Sequence, residues 1–234
     1  MKYIILFIAL LISSTSFSQK NISAMLITSQ RKVPVKEFYA MFDNIPELVY
    51  TEVLQPKANE DIEHNKANNY DILIFYDLND SITQRQKEAY WQLLQNGKPM
   101  LFLHHTLVSY QKWPEFIHII GGRYYRDHPE RGPSTFEHDI DISIEVINNN
   151  HPICNNLNNF TIHDETYNNC FILPDVTPLL TTSTPINIPY PAWIHKVKNA
   201  EVVYIQFGQD ENAFTHPEYQ KLIEQSINYL TKSN

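Results

Sequence analysis

Two segments, YDILIFYDL (70–78) and KPMLFLHH (98–105), are almost continuously apolar, and a stretch of helical pattern separates them. A strand that is apolar on both faces must be covered on both faces, and such runs joined through helices belong to parallel sheets. The intervening segment, DSITQRQKEAYWQLLQNGKP, reads as a helix. Ser81 with Gln84 has capping-box spacing, Ala89/Leu93 and Tyr90/Leu94 pair one turn apart, and Gly97 with Pro99 stops the pattern. SAMLITS (23–29) and LVYTEVL (48–54) supply two further strands with a short helix between them at 35–42. Repeated strand–helix–strand units require right-handed crossovers, so the expected fold is α/β, a doubly wound parallel sheet.

Beyond Gly121 the pattern changes. FEHDIDISIEVI (136–147) alternates partly with period two, and TPLLTTS, YPAWIHKV and AEVVYIQFG follow as short strands with short connections. This predicts an antiparallel extension of the sheet in the second half of the chain. The last segment, THPEYQKLIEQSINYL, carries an apolar stripe of Tyr219, Leu222, Ile223, Ile227 and Leu230, and Thr215 with Glu218 again has capping-box spacing. An amphipathic helix packed on the sheet is expected there.

At the other end, MKYIILFIALLISSTSFSQK has one Lys, an apolar run over 3–12 and the small-x-small pattern Ser16-Phe17-Ser18. This is the form of a secretory signal over residues 1–18, cleaved near Ser18, which leaves 19–234 as a single domain in a secreted or periplasmic location. The apolar run is about half the length that spans a bilayer, so stable membrane insertion is not expected. A formal charge of −8 without a Lys/Arg cluster argues against a nucleic-acid partner. Only five glycines occur and no GxGxxG or GxxxxGK, which disfavours a glycine-rich phosphate loop. Two cysteines, Cys154 and Cys170, could form one bridge in an oxidising compartment, and structural roles for both are the expectation.

In an open parallel sheet, ligands bind beyond the carboxyl ends of the strands. His104 and His105 stand at such an end. Gln30 and Arg31, Asp77 and Asn79, and Gln209 and Asp210 follow other strands in the same way. YYRDHP adds Tyr125 and His128, TIHDETY adds His163, Asp164 and Glu165, and THP adds His216. Imidazoles and desolvated carboxylates are the groups for proton transfer near neutral pH. They are also metal-ligand types, although no HExxH or similarly tight spacing occurs, so a divalent metal site would need distant segments. Trp113 and Trp193 could stack on a sugar face, with core packing the plainer alternative.

Taken in order, LFLHHTLVSYQKWPEFIHIIGGRYYRDHP, NNNHPICNNLNNFTIHDETY, PDVTPLLTT, YPAWIHKVKNAEVVYIQFGQD and HPEYQKLIEQSINYL resemble the trehalose-utilisation (ThuA-like) family. The resemblance covers nearly all of the chain after the signal. It implies the flavodoxin-like fold of class I glutamine amidotransferases and an association with disaccharide and keto-sugar catabolism. It points to His104, His128, Glu165 and Asp210, while Gln209 stands where the family commonly has His. Glutamine amidotransferase activity is not expected, because His104-His105-Thr106 occupies the elbow where those enzymes place a nucleophilic Cys.

The resulting expectation is an exported protein that processes a small glycoside or keto-sugar by acid–base chemistry. Glu165 would accept a proton, and His104 or His128 would donate one to, or polarise, a substrate oxygen. His105, Tyr125, His163, Asp164 and Asp210 would contact a small carbohydrate ligand. A metal taking over the polarising role, a homo-oligomer, and a non-catalytic sugar-binding protein using the same crevice all stay open.

Overall fold

The computed structural model describes residues 21–29 and 35–232. The signal expected over 1–18 and the candidates Gln30 and Arg31 lie outside the described residues. In chain order the elements are β1 (Ile22–Thr28), α1 (Lys36–Asp43), β2 (Leu48–Leu54), α2 (Lys57–Glu63), β3 (Ile72–Tyr76), α3 (Gln84–Gln95), β4 (Met100–Leu103) and α4 (Ile117–Ile120). Then come β5 (Gly122–Arg123), β6 (Thr135–Val146), β7 (Phe160–Asn168), β8 (Phe171–Ile172), β9 (Thr177–Thr182), β10 (Ala192–Val197), β11 (Ala200–Ile205), α5 (Glu211–Thr215) and α6 (Pro217–Lys232).

Nine strands form one sheet in the order β2-β1-β3-β4-β11-β10-β9-β6-β7. The pairs from β2 through β11 are parallel, and those from β11 outward to β7 are antiparallel. The parallel half has the 2-1-3-4-5 order of flavodoxin-like folds, with β11 as its fifth strand. β11 therefore closes the parallel core, where the sequence had placed it in the extension. β7, which carries TIHDETY, forms the antiparallel edge and was not foreseen as a strand.

Strand alternation divides the core between the two faces. Ile72, Ile74, Leu101 and Leu103 pack with Phe38 of α1, Phe214 of α5 and the α6 stripe. Leu73, Phe75, Met100 and Phe102 pack with Ile62 of α2, Tyr90 of α3 and Ile119 of α4. Every residue of β3 and β4 is buried, as runs apolar on both faces require. Trp113 and Trp193 lie in the second of these cores, so both are packing residues. Cys154 and Cys170 are buried free thiols. No helix of the described residues is long and apolar enough to cross a membrane.

Both expected capping boxes differ from the structure. In α3 the box is Thr83 with Gln86: the Gln86 N–H donates to Thr83 Oγ1 (3.2 Å) and the Thr83 N–H donates to Gln86 Oε1 (2.9 Å). Ser81 cannot open the helix because its carbonyl already accepts from the side chains of Asn59 (3.3 Å) and Asn79 (2.9 Å). Thr215 ends α5, its hydroxyl donating to the Glu211 carbonyl (2.8 Å), and Glu218 instead accepts from the backbone N–H and side-chain amide of Asn158 (3.1 and 3.0 Å).

Candidate functional site

β4 ends at Leu103, and His104 follows with φ +44°, in the left-handed region. A side-chain-bearing residue held there costs about 1–3 kcal/mol and persists only where its surroundings fix it. Here they do. The Nδ1–H of His104 donates to the Gln206 carbonyl at the end of β11, and the His104 carbonyl accepts from Tyr204 Oη (3.2 Å). The ring lies flat on Tyr167 of β7, 5.0 Å between centroids and 17° between planes.

The Nε2 of His104 faces Gln209 Oε1 at 3.0 Å and Glu165 Oε1 at 3.4 Å. With Nδ1 already donating to a carbonyl, Gln209 Oε1 and Glu165 Oε1 opposite Nε2 favour a second proton there and so the imidazolium form, while Tyr167 Oη also lies 3.4 Å from Nε2. Burial works against that charge. The hydrogen bond to Glu165, the charges of Asp164 and Glu165 and the Gln206 carbonyl outweigh it and raise the His104 pKa above the ordinary value. The cationic form of an imidazole buried at a strand tip is thus favoured by groups from β7 and from the segment after β11.

Glu165 is 5% exposed and meets a nitrogen at each oxygen, His104 Nε2 on Oε1 and His138 Nδ1 on Oε2 (2.9 Å). Its main chain is fixed as well, since Gln206 Nε2 donates to the Glu165 carbonyl (3.3 Å). Gln206 therefore ties down both members of the pair, one through its carbonyl and one through its amide. Asp164, on the other side of the strand, accepts the backbone N–H groups of Gly208 (2.7 Å) and Gln209 (2.9 Å). That holds the loop which presents Gln209 to His104. Burial raises the Asp164 pKa, opposed by the His104 charge and by those N–H groups.

Glu165 opens onto a cavity of about 450 Å³. Leu78, Val108, Tyr124, Phe136 and Tyr167 give it apolar walls, and His105, Arg126, His138 and Glu165 give it polar groups. An apolar cleft with a few convergent polar groups is the ordinary form of a small-molecule site. His105 stands edge-on to Tyr76 and His104, and Arg126 is held by Asp80 (2.6 Å).

Of the residues singled out from the sequence, His104, His105, Asp164, Glu165 and Gln209 converge here. His104 is wholly buried and lies behind Glu165, Tyr167 and His105, which line the cavity. The others do not converge. His128 Nδ1 accepts the N–H groups of Glu130 and Arg131 in its own turn, with its ring edge-on to Tyr125. His163 pairs with Asp141 (2.8 Å). Asp210 caps α5 by accepting the Asn212 N–H (3.0 Å). His216 bonds the Thr161 carbonyl (3.1 Å), and Asp77 is buried in a separate polar cluster with Gln55 (2.9 Å). Among the described residues no group of three or more His, Cys, Asp or Glu side chains is disposed to hold a metal ion.

Six cavity residues escaped the sequence reading of the site: Phe136, His138, Leu78, Val108, Arg126 and Tyr167. The signal for the first two was slight. FEHDIDISIEVI alternates partly with period two, and its pattern does not mark the bulge in the strand; only Asp139, a residue type that tolerates positive φ, hinted at it.

A family profile described as trehalose utilisation (ThuA) matches residues 20–230. Among solved structures, a protein from Parabacteroides merdae described as ThuA-like superimposes with a TM-score of 0.77 at 16% identity, covering 92% of this chain and 91% of that one. Another from Bacteroides uniformis, also described as ThuA-like, gives 0.65 at 19% identity, covering 93% and 94%. A β-galactosidase from a Rahnella species gives 0.58 at 8% identity, with 89% of this chain on 31% of that one. At these identities the likenesses concern the fold. No curated protein sequence matches the chain.

Proposed function

Because the chain belongs to the trehalose-utilisation (ThuA) family, we propose that it acts on a small carbohydrate, with Glu165 as the base that removes a proton beside a sugar carbonyl. The single observation behind this is the buried His104–Glu165 pair, whose carboxylate faces the cavity while its imidazole is sealed behind it. Two nitrogens directed at the two oxygens suit an ionised carboxylate, and an ionised carboxylate is what a base requires.

Glycoside hydrolysis of the usual kind uses two carboxyl groups on opposite sides of the bond. Among the described residues that line the cavity, Glu165 is the one carboxylate, and residues 1–20, 30–34 and 233–234 contain neither Asp nor Glu. Asp164 is turned away and occupied by backbone N–H groups. One carboxylate among imidazoles favours a keto-sugar lyase or isomerase over a two-carboxylate glycosidase. In that chemistry the C–H electron pair moves into the adjoining C–C bond, the carbonyl pair moves onto oxygen, and the proton goes to Glu165. Arg126 and His105, which share the cavity, face the developing negative charge.

Export, expected from residues 1–18, belongs to this proposal and is tested by N-terminal sequencing of the mature protein. The chemistry is tested by incubating the purified chain with 3-keto-disaccharides and their parent disaccharides and following products by mass spectrometry, beside Glu165→Gln. Consumption of the keto forms, with rate reduced at least about 10²-fold in the variant, supports a base at this position. Binding without product from any of these sugars would instead identify a carbohydrate-binding protein that uses the same crevice.

A further inference from the structure

The role of proton donor, expected of His104 or His128, fits neither. His104 has no exposed surface and spends both ring nitrogens on protein groups. His128 spends Nδ1 in its own turn, outside the cavity. We infer that His138 is the second catalytic residue of the site, the general acid opposite Glu165; this rests on the reading of Glu165 as base.

The strand is built to put it there. β6 pairs Glu137 with Thr166 and Ile140 with Asp164, so His138 and Asp139 together oppose the single residue Glu165. Asp139 has φ +58° and is the extra residue of a β-bulge. Its effect on side-chain direction is specific. Ile142 and Ile144 lie in the core shared with α6, and Ile140 packs against the same core. Unbroken alternation would carry His138 and Phe136 to that face too. The bulge reverses the alternation, so both turn to the other face, alongside Glu165 and Tyr167. A one-residue insertion directly across from the carboxylate re-aims an imidazole onto it.

The other cavity groups suit the role less well. Arg126 is a guanidinium held by Asp80, so it orients but does not release a proton. The ring of His105 is packed edge-on against those of Tyr76 and His104, centroids 5.6 and 4.2 Å away. His138 contacts Glu165 through Nδ1 alone, its Nε2 meets no group among the described residues, and its side chain is 51% exposed. In an elimination, Glu165 takes the proton from carbon, the electron pair expels the oxygen of the leaving group, and the Nε2 proton of His138 goes to that oxygen. The products are the unsaturated keto-sugar and a neutral alcohol. Glu165 then gives up its proton to water and His138 regains one from water, so both return to their starting states.

The test uses two 3-keto-glucosides that differ only in the leaving group, methanol or 4-nitrophenol. An alkoxide needs a proton in order to leave, and a nitrophenoxide does not. His138→Asn should cut kcat/KM on the methyl compound by about 10²- to 10⁴-fold and on the nitrophenyl compound by less than about 10-fold. Glu165→Gln, by contrast, should lose both substrates. The ring is half exposed, so the variant is expected to fold, and circular dichroism checks this. Equal losses on both substrates, or none on either, would overturn the assignment of His138 and leave Glu165 standing. A wild-type protein that binds these sugars and turns over neither would overturn the reading of Glu165 as well.

Discussion

Asp77 offers a stability test that does not depend on a substrate. It follows β3, is buried, and accepts a hydrogen bond from Gln55 Nε2 (2.9 Å) beside Asn59, Tyr90 and Tyr110. Burial pushes its carboxyl from the ordinary 3.8 up to about 7, against the hydrogen bonds from Gln55 and from its own backbone, which act to lower it. The folded state therefore holds a proton that the unfolded chain has lost. The stability this group contributes is fully present below pH 4 and is lost as pH rises to about 7, above which it is flat. The rise from 3.8 to about 7, at about 1.4 kcal/mol for each tenfold change, makes the loss about 4 kcal/mol, a large part of the 5–15 kcal/mol typical of a domain. Asp77→Asn keeps the shape and the Gln55 contact but cannot ionise. Urea denaturation of both proteins from pH 4.5 to 8 should show the variant overtaking the wild type as pH rises. With m near 2–3 kcal/mol/M, the gap between midpoints should change by about 1.5 M. The raised pKa of His104 adds a loss of its own at higher pH, in the same direction. It is common to both proteins and cancels in the difference. Midpoints that move in parallel over the whole range would refute a buried, proton-holding Asp77.

Three further outcomes are expected. Glu165→Gln removes the hydrogen bond and charge that raise the His104 pKa, so the His104 ring should titrate at lower pH by NMR; an unchanged midpoint would contradict the pairing. Gly208 has φ +119°, and a Cβ there would lie 2.9 Å from Tyr219 Oη, which donates to the Phe207 carbonyl. Gly208→Ala should therefore cost about 1–3 kcal/mol in thermal or urea unfolding and weaken turnover by displacing Gln209. Phe136 is 53% exposed at the cavity, so Phe136→Ala should change stability by less than about 0.5 kcal/mol. The same change should raise KM for a keto-sugar about 3- to 10-fold through lost ring stacking, and an unchanged KM would remove the ring from the binding surface.

Much of the fold was legible because burial is written into composition. Strands covered on both faces must be apolar throughout, so β3 and β4 stood out, and the α6 stripe announced the face it buries. The strand-tip position of His104 followed from the same pattern. β7 was harder, because an edge strand carrying His163, Asp164 and Glu165 reads locally as a polar loop.

The sequence by itself determined the parallel core, its covering helices and the candidate groups on two segments, because those depend on local period and polarity. Tertiary structure alone decided which groups meet. His128 and His163 match His138 in residue type, yet only His138 reaches Glu165, because register sets side-chain direction and one extra residue at Asp139 reverses it. The raised pKa of the imidazole behind the carboxylate is likewise tertiary in origin. Its proton is held by groups distant in the chain, Glu165 and Gln206, and no window of neighbouring residues contains them both.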